Sequence, residues 1–293
     1  MTKVRQRVGV LGAGTMGVGI AVVALRTGHD VILRDLRLQD ASRGAERIRE
    51  FLESSVARGK MAPEARDDAL TRLTPTADID ELAECGVVIE AVVESIAAKR
   101  EVFAQLDSVC SDDTLFHSNT STLSVTEIAA GSRCPERVVG THYCNPAPLM
   151  KLVEVVKARQ SSDEAYARTV EFIESLDKVV VTTKDVPGFI VNRFLIPFEN
   201  DCIRALESGL GTVETIDLAV TGGLRYPMGP FTLLDVVGLD IHKQVSTSLF
   251  EQLHDPRFAA PPLVDRMIAE GALGRKSGKG FYEYGQPALF GTT

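Results

Sequence analysis

Residues 8–17 read Val8-Gly-Val-Leu-Gly12-Ala-Gly14-Thr-Met-Gly17 and place a glycine loop between an apolar strand and an apolar helical segment. A turn at Gly28 follows that helix, and the next strand ends in Asp35. A Gly-x-Gly-x-x-Gly loop alone is a weak signal. Strand, loop, helix and second strand in this order are typical of the first βαβ unit of a dinucleotide-binding domain. The sequence therefore predicts that this segment binds a dinucleotide.

Each residue of the glycine loop has a physical role toward a pyrophosphate. Gly12 permits the tight turn, Gly14 lets the backbone approach the phosphates, and Gly17 lets the helix pack against the strand. The helix predicted over Met16–Arg26 begins directly after Thr15, and the backbone N–H groups at its start and the helix dipole favour an anion. We assign these residues to the cofactor site.

Asp35 lies 18 residues beyond Gly17, where such domains place a carboxylate that binds the ribose hydroxyls of NAD. Its negative charge repels the 2′-phosphate of NADP, so the sequence favours NAD as the cofactor. The flanking residues Arg34 and Arg37 weaken this preference, since an arginine can accommodate that phosphate. The alternative for Asp35 is that it only caps the following turn.

Length and composition bound the class of protein. A chain of 293 residues that is 44% hydrophobic can form two domains. Its net charge of −8, with no basic tail or stripe in the sequence, argues against nucleic acid as a partner. The sequence has no apolar run of about 18 residues or more, so we expect no membrane span.

The cysteines and the chain ends suggest a compartment. Five scattered cysteines without a Cys-x-x-Cys pair predict neither a disulfide framework nor a metal site. The N-terminal residues lead directly into the first strand, with no apolar segment for cleavage, so we expect a cytoplasmic protein. We also expect a free-standing chain without a fused second catalytic domain, and fraying over residues 285–293.

Hydrophobic patterns alternate between strands and helices up to about residue 183. Two polar helices at 40–60 and 63–72 predict a helical hairpin that protrudes from the sheet. Further strands are predicted at 87–92, 114–119, 137–143, 151–156 and 178–183, with helices at 97–110, 124–130 and 161–176. This rhythm is typical of an α/β fold with a doubly wound, Rossmann-type sheet.

The character of the sequence changes at Pro187-Gly188, after which β-branched runs become rare. Helices are predicted at 189–207, 212–221, 230–250 and 262–270. We therefore expect a dinucleotide-binding domain over residues 1–186 and an all-α domain over residues 187–293.

Two residues in neighbouring predicted strands have the chemistry of an acid–base pair. His142 ends its strand, and ligands of α/β sheets bind at strand ends. Glu154 lies within an apolar strand, where a carboxylate needs a partner. If the two strands are adjacent, Glu154 orients the imidazole and stabilises its positive charge. The alternatives are a purely structural hydrogen bond for His142 and a solvent-facing edge position for Glu154.

The segment Ser118-Asn-Thr-Ser121-Thr122 brings several small hydrogen-bonding side chains to the end of another strand. These side chains either bind a ligand or cap the helix predicted at 124–130. Asn192 and Arg193 open the helical domain beside the Pro187-Gly188 boundary. The alternative for these two is the ordinary polar face of a helix.

Further motifs follow the glycine loop in order along the chain: Glu90-Ala-Val-Val-Glu94, Ser118-Asn-Thr-Ser121, His142-Tyr-Cys-Asn-Pro146, Met150-Lys-Leu-Val-Glu154, Pro187-Gly-Phe-Ile-Val-Asn192-Arg193, Tyr226-Pro-Met-Gly-Pro-Phe231 and Gly274-Arg-Lys-Ser-Gly-Lys-Gly-Phe-Tyr282. Together they resemble the NAD-dependent L-3-hydroxyacyl-CoA dehydrogenases, particularly the compact bacterial 3-hydroxybutyryl-CoA dehydrogenases. The resemblance covers about residues 6–284.

The resemblance implies a reaction and its residues. His142 matches the family's catalytic base and Glu154 its orienting carboxylate, while Ser121 and Asn192 match the groups that hydrogen-bond the substrate oxygen. The implied reaction transfers a hydride between NAD and C3 of a short-chain (3S)-3-hydroxyacyl-CoA or its 3-ketoacyl counterpart. The pairing of His142 with Glu154, inferred above from their positions in two neighbouring strands, agrees with these roles.

The resemblance also implies binding residues and a partner. Glu94, Lys99 and Asn119 match positions near the cofactor, and Arg58 and Lys60 match the region that meets the CoA nucleotide. The family uses its helical domain as a dimer interface, so the resemblance implies a homodimer through that domain.

Three departures from the family pattern stand out. Tyr143-Cys144 replaces two phenylalanines, Thr122 replaces a second serine, and the hairpin is less basic than a CoA binder requires. A second hypothesis therefore stays open, in which the hydroxyacyl group is held on an acyl carrier protein in a polyketide extender-unit pathway. A third is a dinucleotide-binding structural protein without turnover, against which the set Ser121, His142, Glu154 and Asn192 argues.

Overall fold

The predicted βαβ unit opens the computed structural model, which describes residues 5–285. Strand β1 (Arg7–Leu11), helix α1 (Thr15–Arg26) and strand β2 (Asp30–Arg34) follow one another as expected. The strands pair in parallel, with Val8 opposite Val31. Every residue of α1 from Gly17 to Leu25 is buried, because this helix packs between the sheet and its neighbours.

Eight strands form one sheet in the order β3-β2-β1-β4-β5-β6-β7-β8. The remaining strands are β3 (Leu73–Thr76), β4 (Val87–Glu90), β5 (Leu115–Ser118), β6 (Val138–Tyr143), β7 (Leu152–Lys157) and β8 (Val179–Lys184). The chain builds outward from β1 to β3 and then returns to β4 on the other side of β1, which creates a topological switch point. Ligands of such sheets bind at the carboxyl ends of the strands beside that point. The predicted Rossmann-type fold is confirmed.

All neighbouring strands are parallel except β6 and β7, which are antiparallel. The reversal needs only a short connection between Tyr143 and Leu152. It sets the register in which His142 lies directly opposite Glu154.

Five helices accompany the strands of the sheet beyond α1: α2 (Leu38–Ala57), α3 (Pro63–Thr71), α4 (Ile96–Val109), α5 (Val125–Ala129) and α6 (Asp163–Ser175). The predicted hairpin of α2 and α3 is present as the crossover between β2 and β3, and its tip at residues 57–60 is exposed. Burial of Ile48 and Leu52 on one face of α2 holds this helix against the sheet. Strand β3 was not predicted, because it is short and contains Pro75, a residue that only a sheet edge tolerates.

The contacts of the chain divide it into two compact units, one ending at Val186 and one beginning at Pro187. The second unit contains α7 (Val191–Glu207), α8 (Val213–Gly223), α9 (Pro230–Val237), α10 (Leu239–Leu253) and α11 (Pro262–Ala269). Its core is built from Ile203, Phe231, Leu234, Leu239 and Val264, all without exposed surface.

The prediction of one helix over 230–250 is wrong. Gly238 has a φ of 100° and separates α9 from α10. A side chain there would be strained, whereas glycine adopts this conformation without a steric penalty. The apolar spacing continues across the break, so the hydrophobic pattern alone did not reveal it.

Several expectations concern absent features. Between residues 5 and 285, no helix of the structure is both long and apolar enough to cross a bilayer. The same residues contain no group of histidine, cysteine and acidic side chains arranged to hold a metal ion. The fraying expected for residues 285–293 falls outside the described residues, apart from Gly285.

Candidate active site

The glycine loop has the geometry that a pyrophosphate requires. Gly12 has a φ of 96°, and a Cβ there would lie 2.4 Å from the carbonyl oxygen of Ala91. A Cβ at Gly17 would lie 1.7 Å from the carbonyl oxygen of Gly12, so only glycine lets α1 approach the loop. At Gly14, by contrast, a Cβ would meet no atom of the described residues within 4 Å. The loop is closely packed at Gly12 and Gly17 but leaves open space at Gly14. Residues such as Thr15 at the start of α1 supply backbone N–H donors that fit a phosphate.

Asp35 holds this loop from the end of β2. Its Oδ2 accepts the N–H of Ala13 at 2.7 Å, and its Oδ1 accepts the N–H of Leu36 at 2.7 Å. The carboxylate therefore does more than cap the following turn. A carboxylate has about four acceptor positions, so it retains capacity for ribose hydroxyls.

The two flanking arginines are engaged with other groups of the chain. The Nε of Arg34 donates to the carbonyl oxygen of Ala77 at 3.3 Å. The Nε of Arg37 donates to Asp40 at 2.6 Å, and Asp40 also binds Arg43. These contacts favour NAD over NADP, because neither arginine is held toward a 2′-phosphate beside Asp35.

His142 and Glu154 are in direct contact, as the sequence predicted. The Nδ1 of His142 lies 2.7 Å from the Oε2 of Glu154. Glu154 has no exposed surface and β7 is flanked by β6 and β8, which excludes the solvent-facing alternative. A carboxylate that accepts from Nδ1–H leaves the Nε2 of a neutral imidazole as the basic nitrogen. His142 is the penultimate residue of β6 and lies at the same edge of the sheet as the glycine loop, because β1, β4, β5 and β6 are parallel.

The segment after β5 does not cap α5 through Ser121. Ser124 is the cap residue, and Asp185 accepts the N–H groups of Val125 and Thr126 at 2.9 and 2.8 Å. Ser121 is instead held by Glu94, whose Oε1 accepts the Ser121 N–H at 3.0 Å. Its hydroxyl oxygen lies 3.5 Å from the same carboxylate oxygen, a long contact that leaves the hydroxyl proton available to a ligand.

A buried charged cluster lies beneath this segment. Lys99 has no exposed surface, and its Nζ has acceptors at Glu90 Oε1 (2.7 Å), the carbonyl oxygen of Asn119 (3.1 Å) and Glu94 Oε2 (3.3 Å). The three N–H groups of the ammonium are therefore matched by three acceptors of the chain. Asn119 also accepts the Tyr143 N–H through its Oδ1 at 3.2 Å, which ties this segment to the residue after His142.

The two carboxyl groups of the cluster are shifted in opposite directions. Burial raises the pKa of Glu90, and Lys99 and Ser118 act against that shift. Burial also acts on Glu94, but the Lys99 charge and hydrogen bonds from Thr120 and Ser121 hold its pKa below the usual value. Glu94 is therefore a stable anion at neutral pH.

Sequence reasoning assigned no role to Glu90, although its motif was noted. Glu90 ends the apolar strand Val87-Val-Ile-Glu90 and has no exposed surface. A carboxylate in an apolar strand needs a partner, and the same signal had singled out Glu154.

Other predicted site residues lie outside this cluster. Asn192 is buried on the first turn of α7 in the second unit. Arg58 and Lys60 are exposed beyond the end of α2. Gly44 of α2 contacts Ala13, and Arg58 follows it by about 21 Å along the helix axis. The structure thus does not bring Arg58 and Lys60 to the edge of the sheet.

Tyr143 and Cys144, which replace two phenylalanines of the family pattern, have different surroundings. Tyr143 is buried, and no described residue hydrogen-bonds its hydroxyl. Cys144 is half-buried, and burial raises the pKa of its thiol to about 11, with Glu154 contributing. The thiol is therefore protonated at neutral pH and is not an activated nucleophile.

These features define a class of protein. A tight glycine loop with a carboxylate at the end of β2, and a carboxylate-oriented imidazole at the same edge of a parallel sheet, are the marks of a dinucleotide-dependent oxidoreductase. The chain belongs to the 3-hydroxyacyl-CoA dehydrogenase family. Residues 7–186 match the model of that family's NAD-binding domain, and residues 188–284 match the model of its C-terminal domain. The resemblance and the choice of NAD are confirmed.

Relatives share almost the whole length of the chain. It is 45% identical over 286 residues to a 3-hydroxybutyryl-CoA dehydrogenase of Mycobacterium tuberculosis, covering 97% of this chain and 100% of that protein. It is 40% identical over 284 residues to a 3-hydroxybutyryl-CoA dehydrogenase of Bradyrhizobium diazoefficiens, covering 97% of each. Its structure is similar to the crystal structure of M. tuberculosis FadB2, with a TM-score of 0.92 at 45% identity, covering 96% of this chain and 99% of that one.

Proposed function

We propose that this protein transfers a hydride between NAD and C3 of a short-chain (3S)-3-hydroxyacyl-CoA or 3-ketoacyl-CoA thioester. The observation that carries the proposal is the 2.7 Å contact between His142 and the fully buried Glu154, at the sheet edge that bears the glycine loop. Membership of the family and the names of the relatives support the CoA thioester over a carrier-protein thioester.

The proposed chemistry divides between the cofactor and the chain. When bound, NAD accepts the hydride from C3 during oxidation. His142 takes the C3 hydroxyl proton on Nε2, and Glu154 stabilises the imidazolium that results. In the reverse direction the imidazolium returns that proton to the ketone oxygen.

Two donors are proposed for the C3 oxygen. Ser121 supplies its hydroxyl, since its backbone N–H is already held by Glu94. The family resemblance assigns the amide of Asn192 as the second donor. Each such donor typically contributes about 3 kcal/mol of transition-state stabilisation.

The proposal also covers the residues that bind the CoA nucleotide and the oligomeric state. Arg58 and Lys60 lie away from the site edge of the sheet, and we assign them to the phosphates of the CoA nucleotide from the family resemblance and from their exposed positive charge. The second unit exposes large apolar side chains such as Phe194 (74%) and Leu210 (81%), which supports a homodimer through the helical domain. Sedimentation of the whole chain at twice its monomer mass is the expected result, and a monomer at micromolar concentration would refute the dimer.

The decisive experiment is NADH oxidation with acetoacetyl-CoA, with NADPH as the cofactor control. We expect turnover with NADH, and a loss of about 1,000-fold or more in His142→Ala, because the base and its charge are removed. Turnover of acetoacetyl groups on carrier protein but not on CoA would overturn the CoA assignment. Unchanged activity in His142→Ala would overturn the mechanism.

A further inference from the structure

The hydrogen-bonding groups of Lys99 and Glu90 are all bound within the protein, which is more than a direct contact with the cofactor requires. Glu90 Oε1 accepts from Lys99 Nζ at 2.7 Å and from the N–H of Val92 at 2.8 Å, and its Oε2 accepts from the Ser118 hydroxyl at 2.7 Å. Glu90 and Lys99 both have no exposed surface. Every strong acceptor and donor of this pair is therefore used inside the protein.

Stability alone does not account for such a pair. Withdrawing two charges from water costs about as much as their attraction returns, and apolar residues of similar volume are often equally stable. A buried pair with full hydrogen bonding does fix orientation, because any movement breaks several contacts at once. The pair is thus suited to holding other groups in place.

The groups that Lys99 holds lie at the ends of β4 and β5, beside the switch point of the sheet. Its Nζ binds the carbonyl oxygen of Asn119 and the Oε2 of Glu94. The other oxygen of Glu94 accepts from the Thr120 hydroxyl at 2.6 Å and from the Ser121 N–H at 3.0 Å. One path of contacts therefore runs from Glu90 through Lys99 and Glu94 to the backbone of Ser121.

We propose that Glu90 is a positioning residue for the reaction, which acts through Lys99 and Glu94 to hold Ser121 where its hydroxyl meets the substrate C3 oxygen. This inference rests on the proposed function, since it assigns Ser121 to that oxygen. Lys99 lies between two carboxylates, and loss of the Glu90 charge lets the ammonium shift toward Glu94. Glu94 then turns toward Lys99, and its bonds to Thr120 and Ser121 weaken.

The test is the Glu90→Gln variant, which keeps the shape of the side chain and removes its charge. We expect kcat for acetoacetyl-CoA reduction to fall about 10- to 100-fold, as for other groups that orient a catalytic side chain. Binding of NADH is measured by its fluorescence, and kcat is compared at saturating NADH, so that a change in cofactor affinity at Lys99 or Glu94 does not enter the comparison.

A double-mutant cycle separates positioning from general damage. In a Ser121→Ala background, Glu90→Gln should lower kcat no further, because the group it positions is already gone. Asp107→Asn is the matched control: Asp107 forms a buried ion pair with Arg137 at 2.9 Å, at the opposite end of the sheet. We expect Asp107→Asn to lose stability but to keep its kcat.

A second variant covers the case in which Glu90→Gln fails to fold. Glu90→Gln combined with Lys99→Met removes both charges of the pair, and Glu94 keeps its hydrogen bonds from Thr120 and Ser121, so this variant should fold. Its kcat should fall as in Glu90→Gln, because without the Lys99 ammonium neither the Oε2 of Glu94 nor the carbonyl oxygen of Asn119 is held, and Ser121 is positioned less firmly.

Three results would overturn the inference alone: wild-type kcat in either Glu90 variant, an undiminished effect of Glu90→Gln in the Ser121→Ala background, or an equal loss of kcat in Asp107→Asn. Lack of turnover by the unaltered protein would instead refute the proposed function, and the inference with it.

Discussion

At the scale of single residues, the sheet unit withdraws several ionisable side chains from solvent and gives each a specific partner. Glu154 contacts His142 and Glu90 contacts Lys99, and both carboxylates have no exposed surface. A buried charge that loses its partner costs several kcal/mol, so each pair persists as a unit. One pair presents an imidazole to the site and the other stays inside the protein.

Tyr143 gives a prediction about stability at this scale. Its hydroxyl is buried without a hydrogen bond from any described residue, and burial raises the pKa of the phenol. Tyr143→Phe removes a polar group that pays a desolvation cost, so we expect the free energy of unfolding to rise by about 1 kcal/mol. Denaturant unfolding measures the change.

Tyr282→Phe is the control for that measurement. The Tyr282 hydroxyl donates to Asp217 Oδ2 at 3.0 Å. Removing a made hydrogen bond should lower the free energy of unfolding by about 1 kcal/mol, the opposite sign. A loss of stability in Tyr143→Phe would show that a buried water or another group binds its hydroxyl.

At the scale of elements, the glycine loop between β1 and α1 contains one glycine that serves folding and another that serves ligand binding. Gly17 faces the carbonyl oxygen of Gly12, while the position of a Cβ at Gly14 is open. Two glycines of one motif therefore serve different purposes. The first permits the helix to pack, and the second keeps space for a ligand.

This difference predicts opposite behaviour for two matched variants. Gly17→Ala should lower the free energy of unfolding by several kcal/mol, since its Cβ cannot occupy 1.7 Å from an oxygen without displacing α1. Gly14→Ala should leave thermal stability unchanged and weaken NADH binding about tenfold or more, because the new methyl occupies the approach of the pyrophosphate. Equal NADH affinity in Gly14→Ala and wild type would place the pyrophosphate elsewhere.

Hydrophobic periodicity predicted most of the helices and strands but missed two features of the fold. Strand and helix periods located most elements within a few residues, because burial on one face selects apolar residues at that spacing. They joined α9 and α10 into one helix, since a positive φ at Gly238 leaves no mark on the spacing. They also passed over β3, whose pairing with β2 comes from the rest of the sheet.

At the scale of the whole molecule, a buried neutral histidine couples stability to pH. His117 has no exposed surface, and its Nε2 lies 2.9 Å from the Thr169 hydroxyl. Burial lowers the pKa of His117 from 6.5 to about 3. The unfolded chain takes up a proton on this residue below about pH 6.5, whereas the folded chain does so only near pH 3. The contribution of His117 to the free energy of unfolding is therefore fully present above pH 6.5, and it is lost as the pH falls toward 3.

The expected size of the effect is about 2 kcal/mol between pH 7 and pH 5. In His117→Gln, which does not titrate, the loss of unfolding free energy over this range should be smaller by that amount. His254→Gln, at an exposed histidine, is the control for replacing a histidine by glutamine. Parallel curves for His117→Gln and wild type would show that His117 is protonated in the folded protein at pH 5.

Local patterns in the chain were sufficient to predict the class of fold, the change to helices near Pro187 and the candidate site residues. They were sufficient because glycine loops, hydrophobic periods and a carboxylate in an apolar strand are local signals. The sequence predicted the pairing of His142 with Glu154 only on the condition that their strands are adjacent, and it predicted no partner for Glu90. The antiparallel turn of β7 brings Glu154 opposite His142, and the order of β4 and β5 brings Glu90 to Ser118. A local pattern shows that a buried charge needs a partner, but only the packing of distant segments determines which residue that partner is.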